Sequence, residues 1–160
     1  MSEKTIPLPF ALVEGLHLIG LLDEFVQLVT NADHAQDAAL DRLSPDLYPD
    51  DHDASEEFRE QIHGDLLDRR AADAAQVRHD LEGFEDADLS DPLVLRDVAI
   101  PVDHIDSWLR TLSAMRLIIA TRLGIETNDD HDPADPRFAV YDWLGYRLDG
   151  LVQTADDNDV

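Results

Sequence analysis

The chain has 160 residues, with 12 basic and 36 acidic side chains for a formal charge of −24, and no cysteine. That length suits one domain able to bury roughly 70% of its unfolded surface, and 44% hydrophobic residues suit a packed core. The absence of cysteine excludes disulfides, thiolate zinc sites and thiol redox chemistry, while the negative charge disfavours unaided binding to a nucleic-acid backbone, which rests on basic side chains.

Residues 1–9 read as an N-terminal arm interrupted by Pro7 and Pro9. No apolar run follows a basic region there, so no signal peptide and a cytoplasmic location are expected. The first helix is expected from about Phe10 to Thr30, because Leu18, Leu22, Phe25, Val26 and Val29 share one face and His17, Glu24 and Gln27 lie opposite. A short helix over Ala35 to Leu43 follows, and Ser44-Pro45 and Tyr48-Pro49 end it.

Asp53, with Glu56 three positions on, makes an acidic capping box for a long helix. Phe58, Ile62, Leu66, Val77, Leu81 and Phe84 form its apolar stripe. Arg69 and Asp73 interrupt that stripe four residues apart, and are expected to pair with each other or with charges on neighbouring helices. Val94, Val98 and Ile100 could make a strand, yet no second strand is evident for it to pair with.

Asp103 reads as the N-cap of the next helix, and Gly124 as its stop. From Ser107 to Ile125 there is no acid in nineteen residues, while three arginines are present. Trp108, Leu112, Met115, Ile119 and Leu123 fall on one stripe, with Leu117 and Ile118 on other faces, which is the pattern of a helix covered on several sides. Arg110, Arg116 and Arg122 make it an improbable membrane span. Arg116 and Arg122 border the stripe and are expected to lie on apolar neighbours and pair with Asp142, Glu57 or Asp73. Arg110 faces away from it and is the better candidate for a contact outside the domain.

A last helix is expected from about Arg137 to Thr154, with Tyr141, Leu144, Leu148, Val152 and Ala155 on its core face. Trp143 lies off that stripe with Arg147 near it; such a tryptophan either packs under a loop or belongs to an interface, where tryptophan and arginine are enriched. The whole reads as one all-α domain over 1–160, a bundle of about five helices around the central apolar helix. The acidic loop 126–136 and the tail 155–160 are expected to be disordered.

Catalytic signals are weak. The cluster Asp50, Asp51, His52, Asp53, Glu56 and Glu57 fails the EF-hand test, since Glu56 stands where glycine is needed and Ile62 where glutamate is needed. Seven scattered histidines make no H-E-x-x-H pair, and there is no phosphate-binding loop, dinucleotide fingerprint or G-x-S-x-G elbow. No catalytic, cofactor-binding or metal residues are assigned, and an enzyme dependent on a metal or on paired carboxylates is the minority reading. The partner-binding candidates are Arg110, Trp143 and Arg147.

Several segments taken in order carry a resemblance: Asp50-Asp51 followed by Glu57-Phe58-Arg59, then Trp108-Leu109, Arg116-Leu117, Arg122 to Ile125, Tyr141-Asp142-Trp143-Leu144-Gly145, and Leu151-Val152. The set resembles an actinobacterial helical family, first described as a domain of unknown function and now called the oxidative-stress regulator AosR family. The resemblance implies Phe58, Arg59, Trp108, Arg116, Arg122, Tyr141, Asp142 and Trp143 as structural family residues, with no catalytic residues and no cofactor. It also implies transcriptional control through contact with a sigma factor or RNA polymerase, and a gene neighbourhood shared with the Clp protease adaptor ClpS. The family's role involves a cysteine-based switch, which this chain cannot operate. The expected function is therefore a non-enzymatic regulatory protein that binds a protein of the transcription machinery, with an accessory role in Clp-dependent proteolysis as the alternative.

Overall fold

The computed structural model describes residues 4–30, 52–125, 132 and 134–158; the side chains of residues 52–60, 62 and 63 lie outside that description. Strand β1 (Thr5–Ala11) runs directly into helix α1 (Leu12–Thr30). The long helix α2 (His52–Asp80) is followed by a 3₁₀ turn at Glu82–Phe84, strand β2 (Leu95–Pro101), a second turn at Val102–His104 and helix α3 (Ile105–Leu123). A third turn at Pro136–Phe138 leads into helix α4 (Ala139–Asp157).

The architecture corrects the all-α expectation. Four α-helices, rather than about five, stand among the described residues, beside a two-stranded antiparallel sheet. The expected helix over 35–43 lies outside the described residues. The supposed N-terminal arm is the missing strand partner, because Thr5 to Ala11 pairs with Pro101 to Leu95. Pro7 and Pro9 disguise it in the sequence, since a proline normally argues against a strand.

The register explains how the prolines are tolerated. Val102 N–H donates to Lys4 carbonyl at 3.0 Å and Leu12 N–H to Val94 carbonyl at 3.0 Å, so the even-numbered residues of β1 form the hydrogen-bonded pairs. Pro7 and Pro9, opposite Ala99 and Asp97, then fall at positions whose backbone points away from β2 and needs no donor. The same alternation turns Ile6, Leu8, Phe10, Val98 and Ile100 to one buried face.

That face closes one side of a helical core. α1 packs on α2, α2 on α3 and α3 on α4, and α4 also meets β1. Trp108 and Phe10 are its largest fully buried side chains, with ring centroids 6.3 Å apart, and Phe84 meets Phe10 edge-on at 6.4 Å. Gly15 on α1 gives Phe84 its place, because a Cβ there would fall inside the ring.

Trp108, Leu112 and Met115 are buried as their spacing predicts, and Ile105, Thr111, Ala114, Ile118 and Ala120 widen the covered face of α3. Ile119 and Leu123 are only half-buried. Helix α3 ends where predicted: Gly124 takes the left-handed conformation at φ 78°, with Ile125 N–H bonded to Ala120 carbonyl and Gly124 N–H to Thr121 carbonyl. Its start differs from the expectation. The 3₁₀ turn precedes Ile105, and Asp103 does not cap the helix. Helix α4 continues to Asp157 with Ala155 buried, three residues past the predicted end. No helix among the described residues is long and apolar enough to cross a membrane.

Candidate functional site

Three carboxylates on α1 and α2 anchor the neighbouring elements. Glu14, in the first turn of α1, accepts from Arg147 Nη2 at 2.5 Å, from Trp143 Nε1 at 2.6 Å and from the Ala11 backbone N–H at 3.0 Å. Arg147 also donates to Pro9 carbonyl at 2.9 Å and lies over the Phe10 ring at 4.4 Å. Its bond to Pro9 uses the outer edge of β1, so α4 covers that edge. Burial pushes the Glu14 carboxyl up, but the bonds from Arg147, Trp143 and Ala11 and the Arg147 charge outweigh it and hold the group below the ordinary glutamate range.

Asp73 links α2 to α3. Arg110 grips it through Nε at 2.9 Å and Nη2 at 3.1 Å, and Ser107 Oγ donates at 3.0 Å. The Arg110 hydrogen bond holds this carboxyl below the usual aspartate range; burial opposes it, while Ser107 and the charges of Arg110 and Arg70 add to it. Asp73 therefore pairs across helices rather than with Arg69. Asp80, the last residue of α2, sits at the end of the helix dipole that disfavours an acid. Trp108 Nε1 at 2.9 Å and His104 Nδ1 at 3.0 Å offset this, and the carboxylate is only 5% exposed. The pair clamps the turn before α3 onto α2.

These seams place the candidate residues. Trp143 and Arg147 converge on Glu14 and are occupied within the chain, and Trp143 also meets His17 edge-on at 6.1 Å. Arg110 belongs to the separate α2–α3 seam, with its side chain 51% exposed. Arg116 lies 3.9 Å above the Tyr141 ring and donates from Nε to Tyr141 carbonyl at 3.2 Å, with Gly145 leaving room for its guanidinium. Arg122 is exposed and lines a cleft of about 300 Å³ with Leu21, Phe25, Leu28 and Ile118. Asp142 is half-buried on α4. Asp50 and Asp51, and the side chains of His52 to Arg59, lie outside the described residues. Among the described residues, no three metal-type ligands converge.

Sequence reasoning missed a surface feature. In the register above, Asp97 and Ala99 turn their backbone N–H and carbonyl groups away from β1, toward the free edge of β2. Among the described residues nothing pairs with those N–H groups. Beside that edge, Leu89, Leu93, Val94 and Leu95 are exposed, Leu93 to 73% and Leu95 to 66%. Glu85, Asp86, Asp88, Asp91 and Asp97 share this stretch of chain, all exposed, and Glu85 is paired with Arg78. Arg96, also exposed, donates to Gly83 carbonyl at 2.6 Å and lies 5.6 Å from the Phe84 centroid. An apolar segment beginning with a proline was the available signal, but without a recognised partner strand its free edge could not be seen.

Comparison with known proteins is narrow. A family model described as a domain of unknown function (DUF2017) matches residues 2–155. No curated protein and no solved structure matches the sequence. The matched span contains both strands, helices α1 to α3, α4 as far as Ala155 and the three carboxylate seams, and the chain belongs to the DUF2017 family.

Proposed function

We propose that this chain is a non-enzymatic regulatory protein that binds a component of the transcription machinery, a sigma factor or RNA polymerase. In this reading it takes an extended basic segment of that partner along the free edge of β2. The observation that carries this is the combination at β2: outward backbone groups at Asp97 and Ala99, exposed Leu93 and Leu95, and exposed acids along the same stretch of chain. Strand addition uses main-chain hydrogen bonds for affinity and alternate side chains for specificity. The acids favour a basic partner and steer its approach at low salt. A second copy of the chain is disfavoured, because an antiparallel β2–β2 pairing centred on Asp97 would face like charges at −24 per chain. The choice of partner comes from the resemblance to the AosR family, and any regulation proceeds here without a thiol switch.

The test is binding of purified sigma factors and RNA polymerase to the wild-type chain and to Ala99→Pro, which removes one outward N–H from the edge. We expect wild-type binding that weakens with salt and falls by at least about tenfold in the variant. Absence of binding to every such partner, or equal binding by Ala99→Pro, would reject the reading.

A further inference from the structure

The α2–α3 seam holds a feature that the Asp73 ion pair does not use. Arg69 and Arg70 are adjacent on α2, so their side chains leave the helix about 100° apart. Together with Arg110 from α3 they line a cleft of about 350 Å³, completed by Leu66, Ala72 and Asp73. Its lining holds three guanidinium groups against one carboxylate, with Asp106 also close enough to act on Arg110, inside a chain of −24.

Arginines elsewhere have acceptors: Arg96 donates to Gly83 carbonyl and Arg116 to Tyr141 carbonyl. Arg78, Arg137 and Arg147 each hold a carboxylate within 3.1 Å. With 36 acids available for 12 basic residues, pairing is the default. Yet neither Arg69 nor Arg70 makes an ion pair among the described residues, and the Arg70 Nε is buried with no acceptor. A desolvated donor without an acceptor is a standing cost, so this guanidinium is not held by the protein alone. Arg110 uses Nε and Nη2 on Asp73, which fixes its plane and leaves Nη1 for another acceptor.

We propose that the cleft between α2 and α3 binds a small dianion, a phosphate monoester or a dicarboxylate. Arg69, Arg70 and Arg110 are its ligands, and Leu66 and Ala72 its apolar wall. The arginine fork matches the paired oxygens of either group. The volume admits a small metabolite, being at the lower end of ligand pockets. A nucleic-acid strand is excluded as occupant, because the surrounding charge repels a polyanion. The inference stands apart from the β2 edge and is tested without any protein partner.

The experiment is calorimetric titration of the full chain at constant ionic strength and a pH of about 8, where phosphate esters are doubly charged. The probes are inorganic phosphate, glycerol phosphate and succinate. One-site saturable binding is expected for at least one probe, and preference between the phosphate and succinate arms identifies the group recognised. Arg69→Ala and Arg70→Gln should each weaken binding by at least about tenfold. Arg69 is exposed, so Arg69→Ala should keep the wild-type melting temperature and show that the loss is not unfolding. Arg137→Ala, which removes an exposed arginine elsewhere, should bind as wild type does. No saturable binding of any probe up to about 10 mM, or equal weakening in Arg137→Ala, would overturn the proposal.

Discussion

Glu14 collects donors from three directions and leaves Arg147 only 13% exposed, so removing the carboxylate strands a largely buried cation. Breaking a buried pair costs about 3–5 kcal/mol, and the partial exposure of Glu14 reduces this to about 2 kcal/mol. Glu14→Gln should lower the urea-unfolding free energy at pH 7 by that amount. The pH dependence has a definite sign. Because the folded-state pKa of Glu14 lies below its ordinary value, its contribution is fully present above the unfolded pKa and is lost as pH falls through the folded one. The difference between Glu14→Gln and wild type should therefore shrink on acidification below about pH 4; a constant difference would show that the pair is not the cause. Gly15 gives a second residue-scale prediction. Alanine there gains about 1 kcal/mol of helix propensity, but its Cβ meets the buried Phe84 ring, which Phe10 and the core hold in place. Gly15→Ala should destabilise by about 2 kcal/mol net, read from the same unfolding curves. Neither role was legible beforehand: Glu14 was one acid among 36, and Gly15 one glycine inside a helical pattern.

At the scale of elements, helices were read well and strands poorly. The 3.6-residue periodicity from Phe58 to Val77 corresponds to α2, which ends at Asp80, so that Leu81 and Phe84 lie past it at the 3₁₀ turn. That from Trp108 to Leu123 corresponds to α3, and each is a property of its segment alone. Strand β1 shows apolar Ile6, Leu8 and Phe10 alternating with Pro7 and Pro9, and proline reads locally as a break. Only pairing with β2 makes the prolines acceptable, since it assigns them positions that donate nothing. The same rule gives a paired prediction for β2. Ala99→Pro, at an outward position, should change stability by less than about 1 kcal/mol. Val98→Pro removes a ladder donor in the buried face and should cost about 3 kcal/mol or more. Thermal unfolding of both variants checks this; similar losses would contradict the register. Arg69 is legible only as a charge that, with Asp73, interrupts a stripe, and Arg70 carries no signal of its own. Their adjacency to Arg110 needed the crossing of α2 and α3.

For the whole molecule, the charge of −24 sets the response to solvent. Mutual repulsion disfavours the compact state and is screened over about 10 Å at 0.1 M salt. The melting temperature should rise by a few degrees between about 0.05 M and about 0.5 M sodium chloride, with potassium chloride acting alike. A flat response would show that the acids are already balanced locally. Composition and periodicity alone determined a predominantly helical chain, the central place of the acid-free helix, its stop at Gly124, and the lack of any thiol chemistry, because each follows from residue type and local spacing. Tertiary structure decided which carboxylate meets which arginine, that an N-terminal arm is a strand, and that Trp143 and Arg147 serve Glu14. It also decided that a free strand edge and an arginine-lined cleft face outward. Those are relations between residues far apart in the chain, 133 positions for Glu14 and Arg147. No local period encodes such pairs, and the packing of α1 through α4 against the sheet is what selects them.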